Sequence, residues 1–71
     1  MYQYLPVENK TNSPYIGNYR TFGLRVLQGD EELMIMPDIS TDFAFTLRLA
    51  SLFTRKQLSP LHLLDVLEDM L

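Results

Sequence analysis

The sequence predicts an α+β fold, in which an antiparallel sheet of two or three strands packs against two C-terminal helices. Three observations lead to this prediction. Near residue 40 the chain changes from strand-forming to helix-forming patterns. Before that point, a run of alternating side chains is interrupted by the turn-forming residues 28–31, which is typical of a hairpin. A length of 71 residues with 46% hydrophobic residues favours one domain, residues 1–71, with a core of its own.

The hairpin is predicted from strands over residues 19–28 and 32–36. Alternation places the apolar residues of the first strand on one face: Phe22, Leu24 and Val26. Pro37 cannot donate to a strand ladder, so we expect the second strand to end before it.

The second strand has no clearly polar face. Leu33 and Ile35 lie on one side of the predicted strand, and Met34 and Met36 lie on the other. This pattern suggests that helices cover one face of the hairpin. The other face would then be partly covered by a loop, a partner or another copy of the chain.

The first eighteen residues divide into a possible third strand and a loop. Residues 2–7 are rich in strand formers, although Pro6 suits an edge position or the end of a strand. The sequence leaves open whether this strand pairs with the hairpin. Residues 8–18 are dense in turn formers and are predicted to form a long loop.

The first helix is predicted over about residues 41–55. Ser40 or Thr41 can cap its N-terminus, and Asp42 suits the positive first turn. The helix has two apolar stripes. One stripe is Phe45, Leu49, Leu52 and Phe53, and the other is Phe43, Leu47 and Ala50. We favour packing of one stripe on the sheet and the other on the second helix, and the alternative is that the second stripe meets another protein.

The second helix is predicted over about residues 60–70, with Ser59 as its cap and Pro60 at its first position. Its apolar arc contains Leu63, Leu64, Val66, Leu67, Met70 and Leu71. Glu68 and Asp69 lie in the last turn, where negative charge is disfavoured. Either the end of the helix frays, or basic groups elsewhere in the chain or on a partner compensate, and the candidates in this chain are Arg20, Arg25 and Arg48.

Composition excludes several classes of site. The chain has no cysteine, which excludes disulfides, thiolate zinc sites and cysteine nucleophiles. A net charge of -3 argues against general binding to nucleic acid or anionic membranes. The sequence shows neither a signal-peptide pattern nor an apolar run long enough to span a bilayer, so we expect a cytoplasmic protein.

One group of residues has the spacing of a weak metal site. His62, Asp65 and Asp69 share a face of the second predicted helix, and an imidazole with two carboxylates could hold a metal ion. Such a face is more often only the solvated side of an amphipathic helix. No catalytic residue, cofactor or metal is therefore predicted, and we expect a protein that is not an enzyme.

A second alternative is binding of single-stranded nucleic acid. Arg20 and Arg25 lie near the aromatic residues Tyr15, Tyr19 and Phe22, and such a surface could stack bases and neutralise phosphates. The more common structure for this pattern is a solvent-facing sheet in which Arg25 pairs with Glu32 across the hairpin.

A protein-interaction or regulatory module is the prediction that the sequence favours, with another protein or a second copy as partner. The candidate interface residues are Phe43, Leu47, Ala50, Met34 and Met36. Homodimerisation is the simplest form of this hypothesis, because burying one patch twice would add core to a very short chain.

Several segments resemble a family of short uncharacterised proteins from clostridia-like Gram-positive bacteria. They are residues 39–42 (Ile-Ser-Thr-Asp), 58–66 (Leu-Ser-Pro-Leu-His-Leu-Leu-Asp-Val), 68–69 (Glu-Asp), 13–17 (Ser-Pro-Tyr-Ile-Gly) and 19–23 (Tyr-Arg-Thr-Phe-Gly). The resemblance covers nearly the whole chain and implies a fold but no activity. The chain departs from the family pattern at Phe43, Ala44 and Phe45, where the family has polar residues, and this departure suggests a local contact.

Overall fold

The computed structural model of the chain confirms the predicted α+β fold. It describes residues 1–70, so Leu71, which the sequence assigns to the apolar arc of the second helix, lies outside the described residues. The elements are β1 (Tyr2–Ser13), β2 (Gly17–Gln28), β3 (Glu31–Ser40), α1 (Phe43–Lys56), a 3₁₀ turn (Pro60–His62) and α2 (Leu63–Met70). Within this described part, no helix is long and apolar enough to cross a membrane.

The three strands form one antiparallel sheet in the order β1-β2-β3, and both helices contribute to the core on one of its faces. Leu24 and Val26 of β2 are fully buried there, as alternation predicts. The other core residues come from β1 and the two helices: Tyr4, Leu49, Ala50, Phe53, Leu63 and Leu67. The possible strand at residues 2–7 therefore pairs with the hairpin and supplies part of its core.

The predicted loop over residues 8–18 was wrong, because β1 and β2 continue as a paired hairpin as far as Ser13 and Gly17. Only residues 14–16 form the turn. The Ser13 hydroxyl accepts hydrogen bonds from the amides of Tyr15 and Ile16, and Gly17 adopts a positive φ of 86°. The turn formers upstream of Ser13 are held in a strand by their pairing with β2.

Strand β3 runs past Pro37 to Ser40, so its predicted end at residue 36 was also wrong. Leu24 pairs with Met36 and Phe22 pairs with Ser40, so β3 has extra residues between these pairs and bulges at Pro37. At the bulge, the backbone of Met36 and Pro37 lies directly against Gly23. A Cβ built at Gly23 would lie 1.9 Å from the Met36 carbonyl oxygen and 2.4 Å from that of Pro37. Only glycine therefore fits where the two backbones meet.

Polar side chains hold the bulge in place. The Asn9 side-chain amide donates to the Pro37 carbonyl at 2.8 Å. The Thr21 hydroxyl donates to the Asp38 carboxylate at 2.6 Å, and Thr21 is buried. Pro37 has no N–H to donate to a neighbouring strand, but its carbonyl and the Asp38 carboxylate are held by β1 and β2, so β3 stays attached to the sheet as far as Ser40.

Helix α1 begins at Phe43 because Asp42 caps it. The Asp42 carboxylate accepts from the amides of Ala44 and Phe45, whereas Ser40 only accepts from the amide of Asp42 itself. The cap is therefore Asp42 and not the predicted Ser40 or Thr41. At the other end, Gln57 has a left-handed backbone with φ 52°. Its backbone N–H donates hydrogen bonds to the carbonyls of Phe53 and Thr54 and so ends the helix.

The first residues on the outer edge of β1, Tyr2 and Tyr4, are sealed by side chains from the end of α1. The Gln57 carboxamide accepts from the Tyr2 amide at 2.8 Å and donates to the Tyr2 carbonyl at 2.9 Å, as a neighbouring strand would. The Thr54 hydroxyl accepts from the Tyr4 amide at 2.8 Å and contacts the Tyr4 carbonyl oxygen at 3.3 Å. In β1, the backbone N–H and C=O groups of every second residue point to this outer edge. After Tyr2 and Tyr4 the next such residue is Pro6, which has no N–H and so exposes no donor.

The Tyr4 side chain connects this edge to the second helix. Its hydroxyl donates to the Leu58 carbonyl at 2.6 Å, and its ring packs edge-on against Phe53 at 5.5 Å. Burial, with a smaller contribution from Tyr2, raises the pKa of the Tyr4 hydroxyl above its usual value. The chain then enters α2 through the 3₁₀ turn, where Ser59 caps the start and Pro60 occupies the first position as predicted.

We expect Gly23→Ala to lower the free energy of unfolding by about 3 kcal/mol, because the new methyl group meets backbone atoms that cannot move aside. Chemical denaturation measures this loss. The matched control is Gly29→Ala, whose Cβ would meet nothing within 4 Å and which should cost only about 1 kcal/mol for its positive φ. Equal losses at the two glycines would contradict the close approach.

We expect Thr54→Val to cost about 1 to 2 kcal/mol and to expose the Tyr4 amide, because valine keeps the shape but removes both hydroxyl contacts. Hydrogen exchange of the Tyr4 amide is the specific readout and should become faster. Thr54→Ser keeps the hydroxyl and should leave this amide protected. Slow exchange in the valine variant would show that Thr54 does not seal the edge.

Candidate functional site

The face of the sheet that points away from the helices carries five aliphatic side chains, which we call the open sheet face. Ile35 is 48% exposed and Leu33 is 38% exposed, whereas the other three members are half-buried. None of the five is packed against the core cluster. The open sheet face consists of Leu5, Val7, Leu27, Leu33 and Ile35.

The strand register brings these side chains together. Leu5 of β1 pairs with Arg25 of β2, which pairs in turn with Ile35 of β3, so the three lie in one row across the sheet. A register shift beside this row leaves Leu33 without a partner of its own on β2. The alternation that buries Tyr4, Leu24 and Val26 necessarily turns the intervening residues to the open side.

The charges on this face compensate each other. The Arg25 guanidinium donates to the Glu32 carboxylate at 2.6 Å across the hairpin, which confirms the pairing expected from the sequence. Both side chains remain more than 40% exposed, so the pair contributes at most about 1 kcal/mol to stability. Its effect is mainly electrostatic, because the two charges in the middle of the open sheet face cancel each other.

The structure divides the five predicted interface residues. Phe43 and Leu47 are 49% and 43% exposed, as an interface would require, although the Phe43 ring also contacts the Phe22 ring at 5.3 Å. Ala50 is only 2% exposed and belongs to the core.

Met34 and Met36 also pack against the core, because they pair with Val26 and Leu24 on the inner side of the sheet. The structure therefore places these two interface candidates on the covered side of the sheet, a choice between the two faces that the sequence left open. The exposed side of β3 carries Leu33 and Ile35 instead, and alternation had already separated these two residues from the methionines. The sequence could not show which of the two sides the helices would cover.

The residues of the weak metal hypothesis are not assembled into a site. His62 lies in the 3₁₀ turn and not in α2, which breaks the predicted spacing to Asp65 and Asp69, and all three side chains are exposed. In the part of the chain that the structure describes, no three His, Cys, Asp or Glu side chains are close enough to hold a metal ion.

The two arginines of the nucleic-acid hypothesis are both paired with carboxylates. Arg20 lies 3.2 Å from Glu8 and Arg25 lies 2.6 Å from Glu32. Their positions in β2 differ by an odd number, so alternation directs them to opposite faces of the sheet. These two arginines therefore do not combine into one positive surface for phosphates.

The surface also has open grooves, and two of them lie near the candidate residues of β1 and β2. One has a volume of about 480 Å³ at the hairpin tip and is lined by Lys10, Thr11, Asn12, Asn18, Tyr19 and Arg20. The other, of about 350 Å³, runs between α1 and the edge of β1 and is lined by residues that include Leu5, Pro6, Leu47 and Arg55. His62 and the acidic residues of α2 line neither groove.

Comparison with protein families gives a match over residues 1–71 to a family of unknown function, DUF6514. This match bears out the resemblance to an uncharacterised family. Neither the comparison with curated proteins nor the comparison with solved structures gave a match.

Proposed function

The chain belongs to the DUF6514 family of unknown function, and we propose that it is a small non-catalytic protein-interaction module that binds a partner protein through the open sheet face. The observation that carries this proposal is the neutral apolar surface formed by Leu5, Val7, Leu27, Leu33 and Ile35. Exposed aliphatic side chains grouped around a neutralised ion pair are typical of protein–protein contacts.

The surroundings of the ionisable groups also support a binding role. General acid–base catalysis needs a titratable group held in a cleft against the substrate. His62, Asp65 and Asp69 lie on an exposed surface instead. Tyr4, whose pKa is raised by burial, uses its hydroxyl to hold the Leu58 carbonyl and so has a structural use.

We also propose where this module acts and what kind of surface its partner has. The resemblance of the sequence to short proteins of clostridia-like Gram-positive bacteria leads us to expect a bacterial protein that acts in the cytoplasm. Its partner would offer an apolar surface of its own, since the open sheet face has no net charge to select for one.

We expect a photo-crosslinking amino acid at position 35, introduced into the full chain in the producing cell, to give a discrete adduct with a partner protein. The same probe at position 16 is the matched control, because Ile16 is also an exposed isoleucine, at 75%, but lies in the β1–β2 turn. Adding Leu33→Lys should reduce the adduct at position 35 by at least about tenfold, because it places an unpaired charge in the contact.

Denaturation of the Leu33→Lys variant should show a free energy of unfolding within about 0.5 kcal/mol of the parent, since Leu33 is exposed and outside the core. The same products from positions 35 and 16 would contradict the proposal, and so would the absence of any adduct at position 35.

A further inference from the structure

Helix α1 carries positive charge that no carboxylate within residues 1–70 neutralises. Its charged residues are Arg48, Arg55 and Lys56, and the helix contains no acidic residue. The two ion pairs found within residues 1–70 use Arg20 and Arg25 instead. Arg48 and Arg55 are seven residues apart, which is about two helical turns, so they lie on the same side of α1.

Helix α2 is negatively charged and lacks basic residues that could compensate its carboxylates. It contains Asp65, Glu68 and Asp69 and no basic residue. Glu68 and Asp69 lie in the last turn, where the negative end of the helix dipole adds to their repulsion. Arg20 and Arg25, which sequence analysis considered as compensating groups, are already paired with other carboxylates.

Exposed apolar side chains accompany both sets of charges. On α1, Leu47 is 43% exposed, and it lines a shallow surface groove together with Arg48 and Arg55. On α2, Leu64 is 56% exposed and Met70 is 45% exposed. The exposed residues of the two helices therefore include apolar side chains on both, basic side chains on α1 and acidic side chains on α2.

We infer that the exposed side of the two helices binds a second copy of the chain, with α1 of each copy against α2 of the other. Both helices contribute to the core on the same face of the sheet, so two helical layers can meet face to face. A two-fold axis between the layers and along the helices brings the basic helix of each copy onto the acidic helix of its mate. The same contact forms twice and closes the assembly at two chains.

Charge complementarity selects a second copy as the occupant. An acidic partner would neutralise α1 but would be repelled by α2, and a basic partner would do the reverse. Only a surface that carries both signs compensates both helices at once, and this chain provides such a surface itself. The inference does not rest on the open sheet face, which points outward in this dimer and stays accessible to a partner protein.

The test is charge reversal followed by mixing. One full-length variant carries Arg48→Glu and Arg55→Glu, and the other carries Glu68→Arg and Asp69→Arg. Each variant alone faces like charges across the contact, so its association should weaken by at least about 100-fold relative to the parent. An equal mixture restores both pairings, so a heterodimer should form with close to the parent affinity. Sedimentation velocity measures both results, with a monomer mass of 8.3 kDa as the reference.

Two control measurements show whether the variants are folded and whether the association is electrostatic. Circular dichroism should show that both variants keep their helices, and the α2 variant should be at least as stable as the parent because it relieves repulsion at the helix end. Association of the parent chain should weaken as salt rises. A parent chain that stays monomeric at millimolar concentration would overturn the inference. Variants that each remain dimeric, or that are folded but fail to pair when mixed, would also overturn it.

Discussion

The sealed outer edge of β1 is the interaction on which most of this structure depends. Gln57 takes the place of a fourth strand at Tyr2, and Thr54 does the same at Tyr4. Because both side chains come from the end of α1, the same contacts fix the position of that helix along the sheet. The left-handed Gln57 then turns the chain so that the Leu58 carbonyl meets the Tyr4 hydroxyl, and α2 follows onto the core.

The helices contact the sheet on its inner face and at the outer edge of β1. The helices seal the edge of β1 and cover the inner face, while the Asn9 and Thr21 contacts hold β3 at its bulge. The remaining surfaces are the aliphatic face of the sheet and the charged outer side of the helical layer. A chain of 71 residues can therefore bury a small core and still have two distinct surfaces that this core does not use.

Local patterns predicted the elements of this fold, and contacts between distant residues decided what they could not predict. Alternation and helical periodicity identified the hairpin, the buried Leu24 and Val26, and the two helices. The strand through residues 8–13 escaped prediction because its turn-forming residues are held by pairing with β2. Pro37 is tolerated in β3 only because Gly23 and the side chain of Asn9 accommodate it. Met34 and Met36 could be named only as candidate interface residues, because a strand pattern separates two faces without showing which one is buried.

The most direct test of the inferred dimer asks whether the helical layer, and not the open sheet face, forms the contact between two copies. Amide chemical shifts of the full chain, followed by nuclear magnetic resonance from micromolar to millimolar concentration, answer this question. The shifts should change with concentration along α1 and α2, and those around Leu33 and Ile35 should stay constant. Constant shifts throughout the chain would contradict this dimer, and so would changes confined to the strands.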